Sequence, residues 1–281
     1  MANFNAPANI AETVISTVGV KKCQLSFVKV MLLGILAGAF IAFGAELATR
    51  IMANVQDPGI AMFLGGSVFS VGLMLVVIAG AELFTGNNLI LMSVMGKETT
   101  VGKMLTYWLY VWIANLLGSL LLVWFMYQSG LVSGVVADKA VAIAKMKAGL
   151  PATQIFFRAI MCNWLVCLAV WLALASHDVV GKIFGIFFPI MAFVASGFEH
   201  SVANMYFIPM GMLIKTAAVS DFWAKIGKTA ADFPNITWYN FLAGNLQALL
   251  NHKSGIQASP CQPLAQHQIR RRQDKNADSV G

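Results

Sequence analysis

The stretch GAELFTGN at residues 80–87 returns in altered form as GFEHSVAN at residues 197–204, and both fit the pattern Gly-x-Glu-x-x-x-x-Asn. Each copy interrupts a long apolar run. After the glutamate of the first copy and the histidine of the second, 14 uncharged residues follow, at 83–96 and at 201–214. Interrupted apolar segments at matching positions of two halves are the sequence feature that best indicates a transport site in an inverted repeat. The pattern therefore predicts two related halves, each with an interrupted helix in its middle.

The composition indicates an integral membrane protein. Of the 281 residues 58% are hydrophobic and only 11% are charged, and the mean hydropathy is +0.73. A soluble domain carries about a quarter charged residues, so an ordinary soluble globule is excluded. Disorder is excluded as well, because it requires low hydrophobicity and high net charge. We therefore expect an all-α integral membrane protein.

Charge-free runs mark the membrane spans, since a spanning helix needs about 20 apolar residues. The first copy of the pattern lies on the second span and the second copy on the fifth, so three spans per half require the halves to be inverted. The sixth span, at 238–250, has only 13 residues, about 20 Å as a helix against a hydrocarbon core of about 30 Å. The other predicted spans lie at 30–45, 60–81, 104–127 and 155–176, and a fifth begins at 183 and is broken at Glu199 and His200.

The chain divides into three predicted parts. An N-terminal segment occupies 1–24, a channel domain occupies 25–250, and a polar basic tail occupies 251–281. The stretch 128–153 between the two halves is rich in small residues and lysine, and we expect a loop there. Within the channel domain, repeat one covers about 25–128 and repeat two about 154–250.

Several classes of function are disfavoured by the residues present. The net charge is +7, but the one basic cluster, Arg270 to Arg272, lies in the tail, so nucleic-acid binding is not expected. The four cysteines lack metal-ligand spacing, and His200 alone of four histidines lies in a predicted span, so we expect neither a metal nor a cofactor. A membrane enzyme is disfavoured by the lack of a phosphate-cradling glycine loop. An aquaporin-type neutral-solute pore is disfavoured because no Asn-Pro-Ala box occurs, and a non-conducting membrane protein stays open.

Three ionisable residues lie near the predicted midplane, where such groups are costly and usually functional. An imidazole has an ordinary pKa of about 6.5, so His200 is the candidate for proton exchange or hydrogen bonding. A buried histidine that ties two half-helices together is the alternative. Glu82 and Glu199 each begin a half-segment, and we expect them, with Asn87 and Asn204, to serve as structural caps of helix ends.

Three sequence signatures resemble the formate/nitrite transporter family. They are GAELFTG at 80–86, CNWLVCLA at 162–169 and VASGFEHSVAN at 194–204, in the family's order over roughly 21–245. The resemblance implies an aquaporin-like six-helix protomer with two inverted three-helix repeats and interrupted helices 2 and 5. It also implies a homopentamer in the inner (plasma) membrane, with both termini inside and one pore per protomer. Members conduct small monovalent anions such as formate, nitrite and hydrosulfide, in some cases acetate or lactate.

Site residues are carried over from the family by motif. His200 corresponds to the central pore histidine, Thr85 and Asn163 to its hydrogen-bonding neighbours, and Lys147 to an anion-attracting lysine for which Lys145 is the alternative. The resemblance implies transport of formate or nitrite with proton linkage through His200, and hydrosulfide or another weak-acid anion is the alternative substrate. From about residue 247 onward the chain departs from the family pattern, which leaves completeness of the sixth helix and of the pentamer open. The pore is expected to narrow at Phe69, Leu73, Leu83, Phe84, Val166 and Phe193.

Overall fold

The computed structural model describes residues 4–218 and 220–244, and this part of the chain is built from α-helices. Short π-helical segments follow α1 and α4, at Val14–Val18 and Leu75–Gly80, and a 3-10 segment, Thr85–Leu89, precedes α5. Residues 238–244 are also helical. The α-helices are α1 Pro7–Thr13, α2 Gly19–Cys23, α3 Phe27–Ala53, α4 Pro58–Met74, α5 Ile90–Met95, α6 Val101–Gln128, α7 Gly134–Ala148, α8 Ala152–Ala175, α9 Val179–Ala195, α10 Ser201–Ala217 and α11 Ser220–Lys225.

Four helical stretches of the described chain are long and apolar enough to cross a membrane. They are α3, α4 with its π-helical extension, α6 and α8, and the shorter α9 is also apolar. Polar caps set where two of them begin: Asp57 accepts a hydrogen bond from the backbone N–H of Ile60 at 2.8 Å, and Thr100 accepts one from Lys103 at 3.3 Å. The predicted all-helical membrane architecture is therefore confirmed.

Glycines end the two helices that the repeated pattern interrupts. Gly80 has φ +88° and Gly197 has φ +72°, a left-handed conformation that strains other residues. In both cases the backbone N–H of the residue after the glycine donates a hydrogen bond to the carbonyl five residues earlier. Ala81 donates to Val76 at 2.9 Å, and Phe198 donates to Phe193 at 3.1 Å. This is the Schellman helix end, and the two interruptions therefore share one local geometry.

Small residues let α3 and α6 approach closely at their crossing. A Cβ on Gly38 would lie 2.0 Å from the carbonyl oxygen of Asn115, and one on Gly118 would lie 1.9 Å from that of Ile35. In a membrane the hydrophobic effect does not drive helices together, because lipid tails are as apolar as the side chains. Close backbone packing of this kind drives their association instead. Around this pair, α4 packs on α3 and α9, α8 packs on α9, and α10 packs on α6 and α7.

The loop expected at 128–153 is wrong, because residues Gly134–Ala148 form α7. Its small buried residues recur at helical spacing, Ala137, Ala140 and Ala144, and pack against α10. A Cβ on Gly211 of α10 would lie 2.2 Å from that of Ala144, so the two helices touch closely. Alanines that recur at helical spacing, with lysines on the other faces, favour a helix through both their propensity and their period, even where the mean hydropathy of the segment is low.

The N-terminal segment is folded against the rest of the chain. Ile10, Val14 and Ile15 are buried and pack with Met92 and Trp171 of α5 and α8. At the other end, the prediction of a sixth helix to residue 250 falls only partly on the described chain. Its continuation from residue 245 and the predicted tail at 251–281 lie outside the described residues.

Candidate functional site

Two cavities lie on either side of the paired interruptions. The first vestibule, about 430 Å³, is lined by residues of the N-terminal helices, of α4 and of the interruption at Glu82. The second vestibule, about 310 Å³, is lined by residues of α7 and of the interruption between α9 and α10, including His200. Both cavities are lined mainly by apolar side chains, and the charged residues in their walls number two in the first vestibule and four in the second.

Helix α4 shows how close the two vestibules come. Phe69 lines the second vestibule and Leu73 lines the first, and both are buried. Four residues of helix correspond to about 6 Å, so an apolar barrier of about that thickness separates the cavities. Phe193 closes the second vestibule beside Phe69, with ring centroids 5.6 Å apart in an edge-to-face arrangement, and Leu83 lines the first.

His200 lies at this barrier and caps α10. Its Nδ1 accepts a hydrogen bond from the backbone N–H of Ala203 at 3.0 Å, and its Nε2 lies 2.9 Å from Thr85 Oγ1. Because Nδ1 is an acceptor, the neutral imidazole carries its proton on Nε2 and donates it to Thr85. The ring also stacks on Phe193, with centroids 5.7 Å apart and an interplanar angle of 20°.

Thr85 lies between the two cavities and lines neither. Leu83 and Gly86, two residues before it and one residue after it, line the first vestibule, whereas its hydroxyl contacts His200, which lines the second. Both side chains are buried, Thr85 at 1% exposure and His200 at 3%. A solute that passed from one cavity to the other would therefore pass these two polar groups.

Glu199 forms a buried ion pair with the predicted lysine. Lys147 Nζ lies 3.1 Å from both carboxylate oxygens, and Asn204 Nδ2 donates to Glu199 Oε2 at 2.9 Å. The same ammonium group lies 5.3 Å from the ring centroid of Phe207. Lys145, the alternative lysine, instead lies over the ring of Phe233 outside both vestibules.

Glu82 forms the corresponding pair in the first vestibule. Its Oε2 accepts hydrogen bonds from Lys22 Nζ and from the hydroxyl of Tyr107. Lys22 is a residue of α2, so the folded N-terminal segment supplies the cation. Each interruption thus carries one glutamate, one lysine from another helix and one further hydrogen-bond donor.

The expected capping by the two glutamates is wrong. Among the described residues neither carboxylate accepts a backbone N–H, and His200 caps α10 instead. A lone carboxylate at this depth is costly, and a lysine offsets that cost better than the partial charge of a helix end. Of the two asparagines expected to cap, Asn204 supports Glu199 through its side chain, whereas the backbone carbonyl of Asn87 accepts a hydrogen bond from Trp108 Nε1.

The exposed backbone of the interruptions is satisfied by side chains that the sequence reasoning missed. Asn115 of α6 accepts from Phe84 N–H at 2.9 Å and donates to the carbonyls of Gly34 and Glu82 at 2.8 and 2.9 Å. At the other interruption, Arg158 Nη1 donates to the carbonyl of Gly197 at 3.5 Å. An asparagine in the middle of an apolar span is itself a signal for such a role.

The remaining predicted site residues lie near this centre without lining the cavities. Asn163 is buried at 7% exposure on α8, and within the described chain it makes no hydrogen bond to His200. Val166 and Phe84 are fully buried and line neither vestibule. Their predicted roles stay predictions, whereas Phe69, Leu73, Leu83 and Phe193 lie where the two cavities end.

Comparison with known proteins gives one consistent result. A profile of the family described as Formate/nitrite transporter matches residues 8–250. The chain is 44% identical over 209 residues to "Formate channel BtFdhC" of Bacillus thuringiensis, covering 73% of this chain and 80% of that one. It is 38% identical over 173 residues to "Nitrite transporter NirC" of Salmonella typhimurium, covering 60% and 63%. Among solved structures, "Pentameric formate channel with formate bound" gives a TM-score of 0.76 at 34% identity, covering 83% of this chain and 93% of that one.

Proposed function

Because the chain belongs to the formate/nitrite transporter family, we propose that it conducts small monovalent anions, formate or nitrite, through a pore in each protomer. The family resemblance drawn from three sequence signatures is confirmed, and so is the prediction of a multi-pass inner-membrane protein. The observation that carries the proposal is the alignment of two vestibules on one barrier with a single polar contact, Thr85 to His200, across it.

The barrier selects against charge, and the polar contact offsets part of that selection. Moving an unpaired ion from water into an apolar environment costs several kcal/mol or more of desolvation free energy. The Thr85 hydroxyl accepts from His200 Nε2 and keeps its own hydrogen, which is available for donation to a passing anion. A free hydroxyl donor at the narrowest point suits a small anion with acceptor oxygens, as formate and nitrite have.

The lysines at the vestibules attract anions towards the barrier. Lys22 and Lys147 each lie beside the interruption on their own side, and a positive group in a cavity with apolar walls raises the local anion concentration. Their pairing with Glu82 and Glu199 holds the ammonium groups in place and prevents an anion from being trapped there. The result is weak binding at each mouth, which conduction requires.

Proton linkage through His200 has a defined structural requirement. Nε2 already carries the proton, so His200 gains a proton only at Nδ1, and the ring must then release the Ala203 N–H. In this proposal the imidazolium hands a proton to the anion, which crosses the apolar barrier as the neutral acid. Asparagine at position 200 keeps a cap acceptor for Ala203 but cannot titrate, so H200N that still transports with an unchanged pH profile rules out the linkage.

Two features of assembly belong to the same proposal. The two interruptions match in the glycine that ends each helix and in the glutamate–lysine pair beside it. This match supports an aquaporin-like arrangement of two inverted halves. The similarity to a structure named "Pentameric formate channel with formate bound" supports a homopentamer surrounded by membrane lipid. Static light scattering of the detergent-solubilised protein checks the oligomer, and a monomer would contradict this part.

Uptake into proteoliposomes tests the function. The purified protein is reconstituted, and initial uptake of formate, nitrite, hydrosulfide and glycerol is compared with protein-free vesicles at several pH values. We expect uptake of formate and nitrite and none of glycerol. Equal uptake of glycerol and formate would indicate a neutral-solute pore. Uptake of hydrosulfide alone would identify hydrosulfide as the substrate. No uptake of any solute by the pentamer would make it a non-conducting protein.

A further inference from the structure

The two vestibules differ in charge. The first vestibule is lined by one basic and one acidic residue, Lys22 and Glu82, which are paired with each other. The second is lined by three basic residues, Lys139, Lys147 and Arg158, and by one acidic residue, Glu199. Lys147 is bound by both oxygens of Glu199, so its charge is largely offset by that carboxylate.

The two remaining cations of the second vestibule have no carboxylate partner. Arg158 donates to the carbonyl of Gly197 at 3.5 Å and to the side-chain oxygen of Gln154 at 3.3 Å, both of which are neutral. Lys139 makes no hydrogen bond or ion pair with the described residues, and its neighbour Asp138 is paired with Lys228 instead. The second vestibule therefore has two unbalanced positive charges and the first has none.

The positions of these cations suit recruitment of anions to the mouth. Lys139 lies eight residues before Lys147 on α7, about 12 Å along the helix, and both line the same cavity. Arg158 approaches the same cavity from α8, and its guanidinium contacts the interruption that presents His200. Lys139 and Arg158 are both half-buried, so their charges face the vestibule while water still reaches them.

We propose that Lys139 and Arg158 concentrate small carboxylate and oxyanion substrates in the second vestibule more strongly than Lys147, whose charge is offset by Glu199. This inference rests on the proposed function and assigns part of its specificity. Lys147 then serves chiefly to hold Glu199 and the helix interruption. Since the first vestibule has no such excess charge, anions gather on one side of the barrier more strongly than on the other.

The signature of recruitment is its dependence on ionic strength. A unit charge about 8 Å from an anion in water changes its local concentration about two- to threefold at low salt, and two charges about sixfold. The effect reaches about 30 Å at about 0.01 M ionic strength and about 3 Å at about 1 M. A loss caused by damage to the fold would be the same at both salt concentrations.

The experiment compares formate uptake at subsaturating concentration by proteoliposomes at these two ionic strengths, set with an impermeant salt. For K139Q/R158Q we expect about a sixfold loss of uptake at low salt and almost none at high salt. R158K keeps the charge while changing the contacts to Gly197, and should resemble the wild type. K145Q removes another cation of α7, one that lies outside the vestibule, and should also leave uptake unchanged.

Equal uptake by K139Q/R158Q and the wild type at low salt overturns the inference, and so does a loss of the same size at both salt concentrations. A loss in K145Q as large as that in K139Q/R158Q would also overturn it, because recruitment would then be a property of net charge alone. No formate uptake by the wild type overturns the proposed function and this inference together.

Discussion

Thr85 is the residue at which the proposed pore can be tested with the smallest change. T85V replaces the hydroxyl with a methyl group of nearly the same size and leaves His200 Nε2 without its partner at 2.9 Å. The site is almost fully buried, so water does not replace the lost contact. The loss therefore falls on a passing anion and on the position of the imidazole.

The size of the effect follows from the hydrogen bond that is lost. A hydrogen bond to a charged group contributes about 1.5–3 kcal/mol, and about 1.4 kcal/mol corresponds to tenfold in rate. Formate uptake by T85V should fall about 10- to 150-fold. The unpaired Nε2–H should also lower the stability of the fold by about 1–3 kcal/mol.

Proteoliposome uptake measures the rate, and thermal unfolding in detergent measures the stability. T85S keeps the hydroxyl and is the matched control, so it should retain uptake close to that of the wild type. Uptake by T85V equal to that of T85S, from protein with the same elution volume, would refute the assignment of Thr85 to the conduction path. Equal loss in both variants would show that the methyl group of Thr85 matters as much as its hydroxyl, so the hydroxyl would have no special role.

Two further variants test the interruption and the helix crossing. E199Q leaves Lys147 buried without its carboxylate and should cost about 3–5 kcal/mol of stability, whereas D138N removes a partly solvent-exposed ion pair with Lys228 and should cost about 0–1 kcal/mol. Thermal unfolding compares the two variants, and equal shifts would contradict the buried pairing. G118A places a methyl group 1.9 Å from a carbonyl oxygen of the neighbouring helix and should lower the unfolding temperature, while G102A, which has open space around it, should not; a stable G118A would show that the crossing can open without cost.

The helical architecture was largely predictable from local features of the sequence. Charge-free runs located the spans, and the glycines of the repeated pattern, Gly80 and Gly197, indicated where two helices end. Both signals are local, because apolarity over about 20 residues and a left-handed glycine each determine the structure at their own position. Helix α7 was missed because apolarity was given more weight than the helical spacing of its alanines.

The partners of the buried charges were not predictable in the same way. Lys22 meets Glu82 across 60 residues of sequence, and Lys147 meets Glu199 across 52. No local pattern encodes such pairs, since they depend on how helices pack after they form. The physical requirement was available all the same: a carboxylate at membrane depth needs a cation, and this should have favoured lysine pairing over helix capping.

Asn115 illustrates the same distinction. Its position in the middle of α6 marked it as unusual, but its role follows only from the packing of α6 on α3. It bonds three backbone groups, two of which belong to the interruption near Glu82. Broken backbone at membrane depth must be satisfied by protein, so every such interruption implies a polar partner whose identity the fold decides.

Competition between two anions tests the central claim most directly. The initial rate of labelled formate uptake by proteoliposomes of the purified protein is measured against increasing unlabelled nitrite and, separately, glycerol. One shared pore through Thr85 and His200 predicts saturable formate uptake in which nitrite raises KM, leaves the maximal rate unchanged, and glycerol has no effect. Formate uptake that nitrite does not inhibit, or that glycerol inhibits equally, would contradict a common anion path.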